Sequence, residues 1–192
     1  MKKSSKLMIT FAIVAAAIVV FAVVVAMRPE NFQVTRSTTI AAPASVVFAQ
    51  VNDFHKWDAW SPWAKIDPTA KNTFSGTSAG TGAGFAWAGN NKVGEGSMVI
   101  AESRPNELIR INLEFLKPFK ASNVAEFTFK PEGSQTVVTW NMTGKNNFIS
   151  KAVGLFMDCE KMVGGQFEQG LASMKSIAEA AAKNSAQPSP TT

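Results

Sequence analysis

"LIRINLEFLKPFKASNVAEFTFKPEGSQTVVTWNM" (108–142) alternates apolar and polar residues in three runs. Successive side chains of a strand point to opposite faces. One face therefore collects Ile109, Ile111, Leu113 and Phe115, then Ala125, Phe127 and Phe129, then Val138, Trp140 and Met142. The other collects Arg110, Asn112, Glu114, Glu126, Thr128, Thr139 and Asn141. The runs are parted by "KPFKAS" and "PEGSQ", short segments of turn residues that predict antiparallel hairpins. A sheet that is dry on one face and wet on the other needs one covering layer.

The cover follows the strands. From Phe148 to about Ala182 the residues Ile149, Val153, Phe156, Val163, Phe167, Leu171, Met174 and Ala178 step by three and four, with a gap at 160. That spacing predicts one long amphipathic helix, kinked or broken at the glycine pair 164–165. "KNSAQPSPTT" (183–192) reads as a polar, disordered tail.

Upstream, "GSMVIAES", "FAWAG" and "NTFSG" supply further strands, with the loop "TSAGTGAG" (77–84) between the last two. "FQVTRSTTI" (32–40) is a first strand, and Pro43 suits the first turn of a short helix that follows. The order is strand, one or two short helices, six strands, long helix. A curved sheet gripping one helix does not close tightly along its length and leaves room for an apolar cavity.

"LMITFAIVAAAIVVFAVVVAM" (7–27) is uncharged, and at 1.5 Å per residue it reaches roughly 30 Å, the thickness of a bilayer's hydrocarbon core. It exceeds the apolar core of a secretory signal and meets "MRPE" without a polar cleavage region, which favours an uncleaved anchor over a signal peptide. Lys2, Lys3 and Lys6 precede it, so the N-terminus is expected in the cytoplasm of a bacterium, with the soluble domain outside the inner membrane. The expected organisation is a basic segment 1–6, a transmembrane helix 7–27, a ligand-binding domain 29–182 and the tail 183–192.

The chain has 19 basic and 14 acidic residues, and without Lys2, Lys3, Lys6 and Arg28 the balance is 15 to 14. The soluble part is near neutral and has no basic footprint for nucleic acid. Cys159 and His55 stand alone, which excludes an internal disulfide and gives no set for a metal; no cofactor is expected.

"STTIAAPASVVFAQVNDFHKWDAWSPWAKIDP" (37–68) and "DCEKMVGGQFEQGLASMKSIAE" (158–179), in this element order, resemble the helix-grip superfamily (SRPBCC). Its members include the birch-pollen allergen, the steroidogenic-acute-regulatory lipid-transfer domains and, nearest in local text, the bacterial polyketide cyclase/dehydrase-like proteins. The resemblance implies an α+β fold: about seven antiparallel strands wrapped on a long C-terminal helix, with two short helices after the first strand. It also implies a pocket for lipids or other apolar molecules. It carries over no catalytic residue and no single reaction.

Candidate wall residues follow from the dry faces. Ile111, Leu113, Phe127 and Trp140 come from the meander, Phe85 and Trp87 from an earlier strand, and Phe156, Val163 and Phe167 from the helix. Trp57, Trp60 and Trp63 recur every third residue on one side of a helix that Asn52 or Asp53 caps. They either plug one end of the cavity or let Trp60 or Trp63 touch the ligand; Pro62 puts Trp63 in the exit turn. Glu160 is the one charge on the apolar stripe, and either faces the cavity and a polar head group or turns into water. His55 and Asp58 are spaced to meet on a helix, yet no nucleophile is tied to them by motif, so His55 reads as a surface residue. The glycine loop lacks the order and the lysine of a phosphate loop and reads as a flexible hairpin placed to gate the mouth. Cys159 reads as a packed thiol.

Three classes of function fit: a membrane-tethered carrier, sensor or chaperone for an apolar ligand; a cyclase or dehydratase acting on a hydrophobic carbonyl compound; and an assembly factor whose pocket its own side chains fill. The first needs only the cavity. The second needs an acid/base pair inside it, for which the interior faces offer only Glu160.

Overall fold

The computed structural model describes residues 2–186, and of residues 2–5 and 7 the backbone alone. Helix α1 (Lys2–Ala26) is followed by strand β1 (Asn31–Ile40) and helix α2 (Ala44–Val51). A 3-10 turn (Phe54–Lys56) then leads into α3 (Trp57–Trp60) and α4 (Pro62–Ile66). Six strands follow: β2 (Lys71–Gly76), β3 (Ala83–Ala88), β4 (Glu95–Arg104), β5 (Leu108–Lys117), β6 (Ala121–Glu132) and β7 (Gln135–Lys145). Helices α5 (Phe148–Val153) and α6 (Cys159–Ala186) close the chain.

Residues cluster into two compact units. The first joins Met1–Phe32 with Lys145–Cys159. Here α1 packs on α5, and Asn146 donates its backbone N–H to Glu30 O at 2.6 Å. Met8–Ala26, 19 residues with a mean hydropathy of 3.0, is long and apolar enough to cross a membrane. Phe148, Ile149, Phe156 and Met157 are exposed.

The second unit holds residues 33–144 and the chain from Glu160 onward. Its seven strands are ordered β1-β7-β6-β5-β4-β3-β2, an open antiparallel meander with β1 laid beside β7. A register shift between Ile100 and Glu102 marks a bulge, the device that bends a strand and raises its twist. The alternation reads true: Ile109, Ile111, Phe127, Phe129, Val138 and Trp140 are buried. On the wet face Arg110 bridges Glu126 at 2.9 Å and also pairs with Glu102. The hydrogen bonds Arg110 donates to Glu126 and the charge of Glu102 hold the Arg110 pKa above its ordinary value.

Helix α6 covers the dry face with Phe167, Leu171, Met174 and Ala178, all buried. Its flank is fastened to edge strand β1 at successive points. Arg36 donates to Glu160 (2.7 Å) and Glu168 (2.6 Å), Lys175 donates to Thr39 O (2.8 Å), and Glu179 accepts from Ala41 N–H (2.8 Å).

Two expectations about the helix change. It is not one helix from Phe148: the chain leaves α5 at Gly154 and re-enters helix at Cys159. It does not break at the glycine pair either. The helix runs on through Gly164, and the Arg36 guanidinium lies across it; a Cβ there would stand 2.0 Å from an Arg36 nitrogen. Helix also continues to Ala186, past the expected start of the tail, and residues 187–192 of that tail lie outside the described residues.

Candidate ligand cavity

The tryptophan segment begins with Asp53, whose carboxylate accepts the His55 backbone N–H at 2.9 Å and caps the 3-10 turn. Trp57 and Trp60 follow on α3, both buried. Pro62 does not merely end this helix. It opens α4, where the missing N–H of proline is no loss, so Trp63 sits in a first turn rather than an exit turn. The indoles of Trp57 and Trp60 donate to Val51 O and Gln50 O, each at 3.0 Å.

Between sheet, α4 and α6 lies a cavity of about 540 Å³. Strand register explains its place. Across β5, β6 and β7 the dry face runs in rows: Ile109–Phe127–Trp140, then Ile111–Ala125–Met142, then Leu113–Asn123–Gly144. On β6 the side chain drops from Phe to Ala, with a short Asn beyond, and on β7 from Trp to Met to Gly. The first row meets Trp60 and is solid: Trp60 lies 6.2 Å from Phe127 and 5.7 Å from Trp140, ring centre to ring centre. Beyond it the shortened side chains leave the hollow.

Of the candidates named from sequence, Trp63, Phe85, Trp87, Ile111, Leu113, Trp140, Val163 and Phe167 line the cavity. Trp60 and Phe127, both 0 % exposed, stand behind the wall in the solid row. Phe156 belongs to the first compact unit and is 80 % exposed, since the chain has left helix there. Glu160 takes the solvent alternative: it is half-exposed and paired with Arg36. That pair and Glu168 raise the Arg36 pKa, with the Glu160 hydrogen bond the largest cause.

Met98, Phe115, Ala125 and Met142 also line the cavity, and strand alternation contains them. The polar lining was missed: Asp58, Ser61, Asp67, Asn72, Lys92 and Lys117. Asp67, 6 % exposed, accepts from Thr69 Oγ1 (2.7 Å), Thr69 N–H (3.1 Å) and Asn90 N–H (2.6 Å). These bonds, the Thr69 hydroxyl first, hold its carboxyl below the ordinary value and tie the turn after α4 to the β3–β4 turn. The Asp-x-Thr spacing of "DPT" was the available signal. Lys117 pairs with Glu95 at 2.7 Å.

Other expectations resolve differently. His55 is solvated as expected, but it bonds Asp53 (2.8 Å) rather than Asp58 and stacks on Phe74 at 4.1 Å. The glycine loop is fixed, not a gate: Gly80 N–H goes to Asn52 O and Gly82 N–H to Ile100 O, both at 2.9 Å. Those donors are therefore taken, and none of residues 77–82 lines the cavity. Cys159 is exposed, because α6 starts there instead of passing through.

An antiparallel seven-stranded sheet wrapped on a C-terminal helix, with an apolar cavity between them, defines a helix-grip protein. The chain belongs to the family described as polyketide cyclase / dehydrase and lipid transport, whose model matches residues 31–179. No curated protein matches the sequence. Solved structures share the fold at low identity. A Chromobacterium violaceum protein is 15% identical with a TM-score of 0.56, over 79% of this chain and 99% of its own. The Aha1 dimer from Colwellia psychrerythraea gives 14% and 0.55, over 77% and 96%. The di-domain ARO/CYC StfQ from the steffimycin biosynthetic pathway gives 11% and 0.59, over 80% of this chain and 52% of that one.

Proposed function

We propose that the protein is a membrane-tethered binding module that holds a lipid or another hydrophobic small molecule in the sheet–helix cavity and acts as carrier, sensor or chaperone. The observation that carries this is the cavity itself. Its volume of about 540 Å³ falls in the range of small-molecule sites, and aromatic and aliphatic side chains make most of its wall. The family description, which includes lipid transport, supports the same reading. Asp67, the buried carboxylate at the wall, is saturated with hydrogen bonds and held ionised, which suits a fixed strut better than a proton donor.

The full chain, purified in detergent and examined by native mass spectrometry, is expected to carry an apolar molecule or to take up an apolar dye. A protein that is repeatedly empty and binds no dye sinks the proposal. The tether is the apolar helix Met8–Ala26, with the lysine-bearing end in the cytoplasm. A C-terminal alkaline phosphatase fusion is then active; an inactive one, beside a fluorescent C-terminal fusion, reverses the orientation.

A further inference from the structure

The first compact unit carries an apolar surface that neither the tether nor the cavity uses. Phe148, Ile149, Phe156 and Met157 are 55, 51, 80 and 49 % exposed. Four large apolar side chains within ten residues make a patch, unlike the scattered single ones of an ordinary surface. The segment that bears them is held as one piece. Asn147 caps α5 by accepting the Ser150 N–H at 2.8 Å, and in the turn that follows Phe156 and Met157 both return their N–H to Val153 O at 3.0 Å.

The neighbour of this segment tells what covers it. Helix α5 packs on α1. Val25, the penultimate residue of α1, is 0 % exposed and is the one buried side chain of that helix among the described residues. Val23, Val24 and Met27 around it stay exposed. The contact with α5 therefore falls at the end of Met8–Ala26, the stretch apolar enough to span a bilayer, just before Arg28. At that level hydrocarbon gives way to headgroups. Asn146 pins the start of α5 there, its side chain donating to Pro29 O at 3.3 Å and its backbone N–H to Glu30 O. Lys145 and Lys151 accompany the apolar residues, as cations do beside anionic headgroups.

We propose that α5 and the turn after it are a second membrane contact, with Phe148, Ile149, Phe156 and Met157 set in the boundary between headgroups and acyl chains of the leaflet where α1 emerges. The occupant of the patch is lipid, because the patch adjoins the end of a helix whose exposed side chains face acyl chains once it spans the bilayer. The proposal rests on the tether reading and adds to it: this unit lies on the bilayer as well as across it.

The test uses the full chain in nanodiscs of phosphatidylcholine and phosphatidylglycerol, with a nitrobenzoxadiazole fluorophore on a single cysteine. Cys159 is exposed and two residues past Met157, so the native sequence can be labelled directly. It is compared with a variant carrying Phe148→Ser, Ile149→Ser, Phe156→Ser and Met157→Ser. A third form carries Phe156→Cys with Cys159→Ser. A lipid with a nitroxide high on its acyl chain is expected to quench wild type several-fold more than the four-serine variant, and to quench the position-156 label most. Iodide in the water should show the reverse order. Iodide quenching at position 156 equal to that of the free dye–glutathione conjugate overturns the proposal. So does shielding from iodide without quenching by lipid, the result that a second copy or another protein on the patch would give. A four-serine variant quenched as wild type is also overturns it. Carbonate extraction of vesicles carrying the full chain separates this reading from the tether. A chain that resists extraction with its patch in water keeps the tether and loses the second contact; a chain that washes off loses both. Should the four-serine variant not fold, judged by its tryptophan emission, the position-156 label decides alone.

Discussion

Two halves of one dry face, built on the same strands, do opposite things. The row Ile109–Phe127–Trp140 is packed solid against Trp60, whereas the next row, Ile111–Ala125–Met142, and Leu113 beyond it border a hollow of about 540 Å³. Backbone and register are continuous between them. What differs is side-chain size, which drops past Phe127 on β6 and past Trp140 on β7. Protein interiors normally fill to crystal-like density, so a pair of strands whose side chains shorten opposite the helix leaves space. The lesson is that the cavity is made by what two adjacent strands lack.

Substitutions can break this contrast from either side. Trp60→Ala, in the solid half, is expected to destabilise the protein by about 3–5 kcal/mol, the cost of emptying a large aromatic site in a packed core. Denaturant unfolding of the detergent-solubilised chain measures it; a loss below about 1.5 kcal/mol would mean this half is not solid. Ala125→Phe, one row away, inserts bulk where there is room. It should cut apolar-dye affinity by about tenfold or more while changing stability by under about 1.5 kcal/mol, because the added ring occupies space and not neighbours. A variant that still binds the dye as wild type does would place the binding site elsewhere.

The wall of the hollow half is sharpened by pH. Asp67 has a folded pKa below the ordinary carboxylate value, so its contribution to stability is complete above that ordinary value and is lost as pH falls through the folded one. Thermal melts of wild type and Asp67→Asn should differ at neutral pH and converge in strong acid. Parallel curves at every pH would remove Asp67 from the account. The smallest effect belongs to the helix turn above the hollow. Gly165 meets nothing within 4 Å at its Cβ position, so Gly165→Ala should raise stability by about 0.5–1 kcal/mol through helix propensity. Gly164→Ala should lower the melting temperature instead, because the methyl group displaces Arg36.

Much of this architecture was legible in the sequence. Period-two alternation in 108–142 sets the faces, and the order of elements sets the layers. The drop in side-chain size was also in the sequence, as Phe127 then Ala125 and Trp140 then Met142, but it becomes a cavity only once register pairs them. The helix break was hidden because Ile149 and Val153 on α5, and Phe156 in the turn after it, keep the spacing of three and four. Glu160 could not be placed, since its partner Arg36 is 124 residues away. Lys92 and Asp67 reach the wall from turns, and periodicity does not extend into turns. The break expected at the glycine pair does not occur, and the sequence could not show that Arg36 fills the space beside Gly164.

The hollow has a consequence for how a ligand can be recognised. Anything that binds only the folded chain raises its unfolding free energy by about 2.7 kcal/mol at a concentration a hundredfold above the dissociation constant. Heat resistance then reads out occupancy, compound by compound, with no reaction to follow. Ala125→Phe serves as the blank in such a screen, since its hollow is already taken. A compound that protects wild type from heat and leaves that variant indifferent has found the space that the shortened side chains of β6 and β7 leave open.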